Sequence, residues 1–362
     1  MDIQGKAEKQ FHRPYENWSS LKSAADRVCE RGVHINGAVY SSKLSLASIQ
    51  TLLEGTAGGG RKRFVVRKDK FSCVVHDGLR VFRDVQTKPS VILWRDSKRG
   101  LTYMISVQPR EVFEHICRSV YRFLQPELCK VFLRTREVQG ALNRLAESHS
   151  ELKLRVREYT ARSLIADPGS RKRVRTVREW TDEEHETVFQ KLADEKQWLA
   201  GLRLEVRGRG EAAGRIWRDV TFSCESGFGL FFNSIVAVLG NSVTGSRKFF
   251  ESRGRLENPD HGSRPVRISY SEDVFSNKKQ NIRLLQILKT LRDSALSVYH
   301  PNPYLHASLV DYVDGSSYEV WVTNPGSILV VPKRKATADS MGRVCNFICD
   351  EFQEGDIQEL AC

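Results

Sequence analysis

The sequence predicts an α+β fold: a β-rich meander with helices N-terminally, then an α/β C-terminal part containing a βαβ unit and a late β-hairpin. Three observations predict it. At 362 residues the chain exceeds the size at which a single core keeps growing, so two domains are expected. Between residues 64 and 107, short runs rich in β-branched and aromatic residues alternate with turn signals such as Asp77-Gly78 and Arg99-Gly100. Stretches of helical periodicity lie on both sides of that region.

Residues 17–30 read as a helix, capped by Ser19 or Ser20, with Trp18, Leu21, Ala25 and Val28 on one face. Gly32 ends it. A strand over 33–40 precedes a helix over 45–53, with Leu46, Ile49 and Leu53 inward. The glycines 55, 58, 59 and 60 then break the chain. Strands follow at 64–66, 71–75, 79–82, 91–94 and 101–107, and Pro109 starts a helix with Val112, Phe113, Ile116, Val120 and Phe123 inward.

A strand at 131–133, a helix at 138–146 and a strand at 152–159 have the spacing of a compact βαβ unit. Residues 166–180 read as a basic linker, dividing a domain over 1–165 from one over 181–362. Thr181 and Glu184 form a capping box for a helix running to about Leu199. Strands follow at 202–206 and 217–224. The apolar segment 227–239 is open between helix and buried strand. Beyond it come a strand at 266–270 and a helix over 281–298, with Leu284, Leu288, Leu291 and Ala295 as its core stripe. A hairpin over 305–322 turns at Asp314-Gly315. A strand at 328–331, a helix over 339–352 and an acidic tail over 350–359 complete the chain.

Hydrophobic content of 40%, with 17 Phe, 10 Tyr and 6 Trp, excludes the disordered class. No apolar run approaches 18 residues and residues 1–17 are polar, so a cytoplasmic protein is expected. The 8 cysteines include no Cys-x-x-Cys pair, which removes zinc-ribbon and thioredoxin-like readings. Cys345 and Cys349 lie one helical turn apart without answering ligands nearby, so buried thiols are expected.

Charge is spread unevenly. Residues 61–99 hold 12 Lys or Arg against 4 acids, and residues 153–178 hold 9 against 2, while the whole chain nets +13. Such concentration suits a polyanion, because phosphate contacts dominate nucleic-acid affinity. One expected patch is Arg61, Lys62, Arg63, Arg67 and Lys68. The other is Lys153, Arg155, Arg157, Arg171, Lys172, Arg173, Arg175 and Arg178. The glycine segment before Arg61 is not a phosphate loop of the nucleotide-hydrolysing kind: no Ser or Thr follows Lys62, and a helix precedes it.

Two His-x-Ser elements, at His261 and His306, fall short of a two-histidine phosphoesterase, since the first sits in a turn. Glu151 and Lys153 echo the Glu-x-Lys strand of metal-dependent nucleases, but the preceding strand supplies no carboxylate. The sequence thus points to a cytoplasmic protein that binds DNA or RNA by its phosphates, without sequence readout, catalytic activity, metal or cofactor. The alternative is a subunit of a nucleic-acid-processing or genome-defence complex whose basic surface docks an acidic protein. A divergent nuclease using Glu151 and Lys153, or His306, is third.

Overall fold

The chain opens with two helices, α1 (Ile3–Phe11) and α2 (Trp18–Cys29), that lead into the strand at the centre of its first sheet, β1 (Ile35–Ser42). The structure is a computed structural model. It describes residues 3–55, 63–69, 71–77, 88–164, 174–208, 210–253, 264–301, 303–333 and 335–360. Asn17, two residues ahead of the first of the predicted serines, caps α2, its Oδ1 accepting from Ser20 N at 2.9 Å. Every residue of β1 is buried.

Helix α3 (Leu46–Glu54) is followed by the predicted meander, β2 (Phe64–Lys68), β3 (Ser72–Asp77), β4 (Ser90–Asp96) and β5 (Leu101–Ser106), and then by α4 (Arg110–Leu124). Each pair in the meander is antiparallel, and β5 returns to pair with β1. The strand expected at 79–82 lies outside the described residues. Alternation along these strands feeds two cores. Val74, Ile92, Tyr103 and Ile105 face the core that includes α1 and α2, while Cys73, Val75, Leu93 and Met104 face α3 and α4.

The predicted βαβ unit is not formed. Strand β6 (Leu128–Lys130) pairs antiparallel with the Tyr40–Ser42 end of β1. After α5 (Thr135–Ser148), strand β7 (Lys153–Leu164) joins the far end of the same sheet beside β8 (Val174–Glu184). Three strands lie between: β9 (Trp198–Arg207), β10 (Glu211–Trp217) and β11 (Thr221–Ser226), in the order β2-β3-β4-β5-β1-β11-β10-β9-β7-β8. The stretch 131–133 is no strand; Leu133 N donates instead to Arg218 O at 2.7 Å.

Two further expectations shift here. Residues 174–180 belong to β8, not a linker, and the helix α6 (His185–Asp194) starts after the Thr181 capping box, because β8 continues through it. The chain divides into two compact units, Met1–Ala161 with Val177–Thr244, and Arg162–Thr176 with Gly245–Cys362. Residues 181–244 thus fall in the first unit and not the second, since β9, β10 and β11 bond into the sheet of β1.

The undecided segment at 227 is helical: α7 (Phe228–Phe231), a π turn (Phe232–Val236) and α8 (Ala237–Glu251) follow without a break. Gly227 precedes it at φ +58°, where a Cβ would lie 2.4 Å from Glu211 O, and Asp26 Oδ1 accepts from Gly229 N at 2.8 Å. By length and composition alone, Phe228–Glu251 could cross a membrane. Phe228, Phe231, Phe232, Ile235, Leu239 and Val243 are in the core of the first unit, where Phe232 packs on stacked Trp18 and Trp94.

The second unit carries one six-stranded sheet, from β12 (Val266–Ser269), β13 (Ser294–His300), β14 (Leu305–Asp311), β15 (Ser316–Asn324), β16 (Ser327–Pro332) and β17 (Asp356–Glu359). Its order is β13-β14-β15-β16-β12-β17, and the late hairpin is β14–β15, turning through Gly315 at φ +76°. Helices α9 (Lys278–Leu288) and α10 (Ala338–Glu351) pack on it through Leu284, Leu288, Met341, Val344 and Ile348. The helix expected over 281–298 stops early. Asp293 has φ +55°, and residues from Ser294 pair with β14. The expected acidic tail is edge strand β17, and its Glu359 pairs with Arg253 at 2.5 Å. Every pairing with a described register is antiparallel, so the fold is α+β.

Candidate functional site

Among the described residues of the second predicted patch, Arg155, Arg157 and Arg178 are paired with carboxylates on the strands of the first sheet. Arg155 and Arg157 of β7 pair with Asp182 of β8 at 2.7 and 2.5 Å, and Arg157 also reaches Glu205 of β9 at 2.8 Å. These contacts hold the Asp182 and Glu205 carboxyls below their usual range, with the Arg155 and Arg157 hydrogen bonds the largest causes respectively. Arg178 lies on Glu158 at 2.6 Å, and Arg203 on Glu225 at 2.6 Å. Lys153 and Arg175 are exposed without an ion pair among the described residues. Arg171, Lys172 and Arg173 lie outside the described residues. Around Arg155, Arg157 and Arg178 this face is a salt-bridged ladder.

Of the first patch, Arg61 and Lys62 lie outside the described residues. Arg63 sits over the Phe64 ring at 5.3 Å, and Lys68 pairs with Glu54 at 2.5 Å. Arg67 is exposed on β2 and has no ion pair among the described residues. Among the described residues of that cluster, Arg63 and Arg67 have no acidic partner and Lys68 is paired.

An open basic surface is found where the sequence did not direct attention. Helices α1 and α2 flank a groove of about 440 Å³ lined by Lys9, Arg13, Arg27 and Arg31. All four are exposed, and none has an acidic partner among the described residues. Their neutral contacts are modest. Arg31 donates to Gln10 Oε1 at 3.1 Å, and the Arg13 guanidinium lies 5.4 Å from the Tyr15 ring centre. Phe11, Ala24 and Val28 form the apolar floor. The acid nearest the middle of α2, Asp26, is turned away onto the helix start at Gly229.

The floor fixes the spacing of these charges. Phe11, Ala24 and Val28 belong to the buried core, so α1 and α2 are held together by apolar contact and their polar rims face outward. Like charges lining one groove repel, and an anion between them relieves the repulsion. Lys9 also lines a second cleft, shared with His12, Arg67, His76 and Lys88.

The remaining sequence candidates are not brought into a site. His306 is stacked 3.5 Å on Trp321 and beside Tyr299, with Nε2 3.7 Å from Glu319, and His261 lies outside the described residues. Glu151 is exposed in the turn before β7, where His149 Nδ1 is 3.6 Å away. Cys345 and Cys349 are buried in the second core. Among the described residues no group of three His, Cys, Asp or Glu side chains could hold a metal ion. The chain matches no protein-family model and no curated protein sequence.

Proposed function

We propose that this protein binds nucleic acid by its phosphate backbone along the α1–α2 groove. The observation that carries the reading is the set of four exposed cations, Lys9, Arg13, Arg27 and Arg31, lining one groove without acidic partners among the described residues. Contacts of this type position a strand without reading its bases. Arg67 and Lys88, which share a cleft with Lys9, extend the positive surface beyond the groove. The ion-paired ladder on β7 and β8 contributes less, because its guanidinium groups already have carboxylates.

The test is fluorescence anisotropy with labelled duplex DNA, single-stranded DNA and RNA at several salt concentrations. A variant with Arg13, Arg27 and Arg31 changed to Ala is run beside the wild type. Log affinity should fall steeply with log salt, and the slope should drop by roughly 2 to 3 in the variant. A control variant, Arg155→Ala with Arg157→Ala, should change the slope less. Absence of binding at low salt would overturn the reading and leave the groove as a dock for an acidic protein.

A further inference from the structure

The cleft that shares Lys9 with the groove has a volume of about 320 Å³ and lies within the first unit. That volume is at the lower end of the range for small-molecule sites, about 300–1,000 Å³. Lys9, Arg67 and Lys88 are exposed around it, none with an acidic partner among the described residues. Its interior is different in character. Glu8 is 4% exposed, and although Oε1 accepts from Gln4 Nε2 at 3.3 Å, Oε2 is buried without a hydrogen-bond partner among the described residues.

His76 is the second unmet group. Ser90 Oγ lies 2.7 Å from Lys88 O and 2.6 Å from His76 Nδ1. The hydroxyl has one proton, and donating it to the carbonyl leaves the serine oxygen to accept from Nδ1–H. His76 Nε2 is then a bare acceptor, and it too is buried and has no hydrogen-bond partner among the described residues. Burial, Arg67 and Lys88 all disfavour a second proton on that ring.

Two buried acceptors inside a ring of cations set the chemistry of an occupant. Buried polar atoms need partners, so the occupant must bring donors to the interior and negative charge to the rim. Sulfate supplies no donor, and any small inorganic anion brings its charge close to the Glu8 carboxylate instead of to the rim. A ribonucleoside 5′-phosphate supplies both, with a cis-diol at one end and a phosphate at the other. We infer that the cleft holds such a unit, the diol donating to Glu8 and His76 and the phosphate lying against Arg67, Lys88 and Lys9. This rests on the phosphate-backbone reading of the adjoining groove. The same chemistry is found at the 3′ end of an RNA strand and in a free ribonucleotide.

The experiment compares RNA strands ending in a normal ribose with strands ending in 2′,3′-dideoxyribose, both labelled at the 5′ end. Loss of hydrogen bonds to a buried carboxylate should weaken the dideoxy strand about tenfold. Glu8→Gln should bring the two strands close to equal, and Arg67→Ala, at an exposed site, should weaken the normal strand while leaving the melting temperature unchanged. Equal binding of both ends, with steep salt dependence intact, would overturn the cleft assignment and leave the groove reading standing. If no strand binds, the groove reading falls and calorimetry with adenosine 5′-monophosphate decides the cleft. Binding lost with the 2′,3′-dideoxy analogue supports the assignment, and no heat at millimolar nucleotide overturns it.

Discussion

Glu158 on β7 accepts from Arg178 on β8 twice, Oε1 from Nε and Oε2 from Nη2, each at 2.6 Å. Arg215 of β10 donates to the same Oε2 at 2.7 Å, so one carboxylate serves two guanidinium groups. Glu158 is 2% exposed, and an acid so deep is held there by its partners. The first prediction follows. Glu158→Gln keeps the shape but leaves Arg215 and Arg178 without a countercharge, and should cost about 2–3 kcal/mol. Urea unfolding followed by circular dichroism measures it; a loss below about 0.5 kcal/mol would show the pair to be incidental.

Gly37 sits at the centre of β1 under the ring of Phe222. A Cβ at that position would be 2.1 Å from Phe222 Cζ, and Phe222 is itself buried. Gly37→Ala should therefore overpack the centre of the first sheet and destabilise it by about 1–3 kcal/mol, against the usual benefit of removing a strand glycine. A double variant with Phe222→Leu should recover part of the loss. Unchanged stability in Gly37→Ala would mean that the ring moves aside at little cost.

These two relationships also show what the sequence conveys and what it hides. The meander, the late hairpin and the amphipathic helices were legible because period and turn residues are local signals. The βαβ reading failed because strand spacing says nothing about which edge a strand finds, and β6 finds the end of β1. A local charge count is blind to partners for a similar reason. Asp182 and Glu205, which pair with Arg155 and Arg157, lie outside the basic stretch 153–178. The open groove was missed because acids at 8, 16, 26 and 30 cancel its cations in any local count. One signal was available: Lys9 and Arg27 sit in the last turns of the two helices, where cations are favoured, and Arg13 and Arg31 follow two residues past their ends.

Thiol accessibility gives a third prediction. Cys29, Cys73, Cys117, Cys129, Cys224, Cys345 and Cys349 are reduced and buried. Burial pushes the Cys73 thiol up to about 12 and the Cys117 and Cys224 thiols well above their usual value. Reaction with disulfide reagents needs an exposed thiolate, so all seven should be silent in the native state and reactive in denaturant. Mass spectrometry after brief alkylation assigns the labels. Rapid native labelling at any of the seven would contradict the packing described.

The last prediction concerns pH. His12 is 8% exposed with Nε2 2.9 Å from Ser106 Oγ, and burial, followed by repulsion from His76, lowers its pKa from 6.5 to about 3. In the unfolded chain His12 takes up a proton below about pH 6.5, while the folded protein refuses it until far lower pH. Its stabilisation is therefore complete above that pH and declines as pH falls toward the folded value. The slope from this one group is about 1.4 kcal/mol per pH unit, or roughly 2 kcal/mol between pH 6.5 and 5. His76 and His185, also lowered mainly by burial, add to the slope in the same direction. Denaturant unfolding at pH 7, 6 and 5 tests this above the range where carboxylates titrate. The wild type should lose stability across that interval, and His12→Gln, which cannot take the proton, should lose about 2 kcal/mol less between the two ends. Parallel profiles for the two proteins would mean that His12 is charged in the folded state.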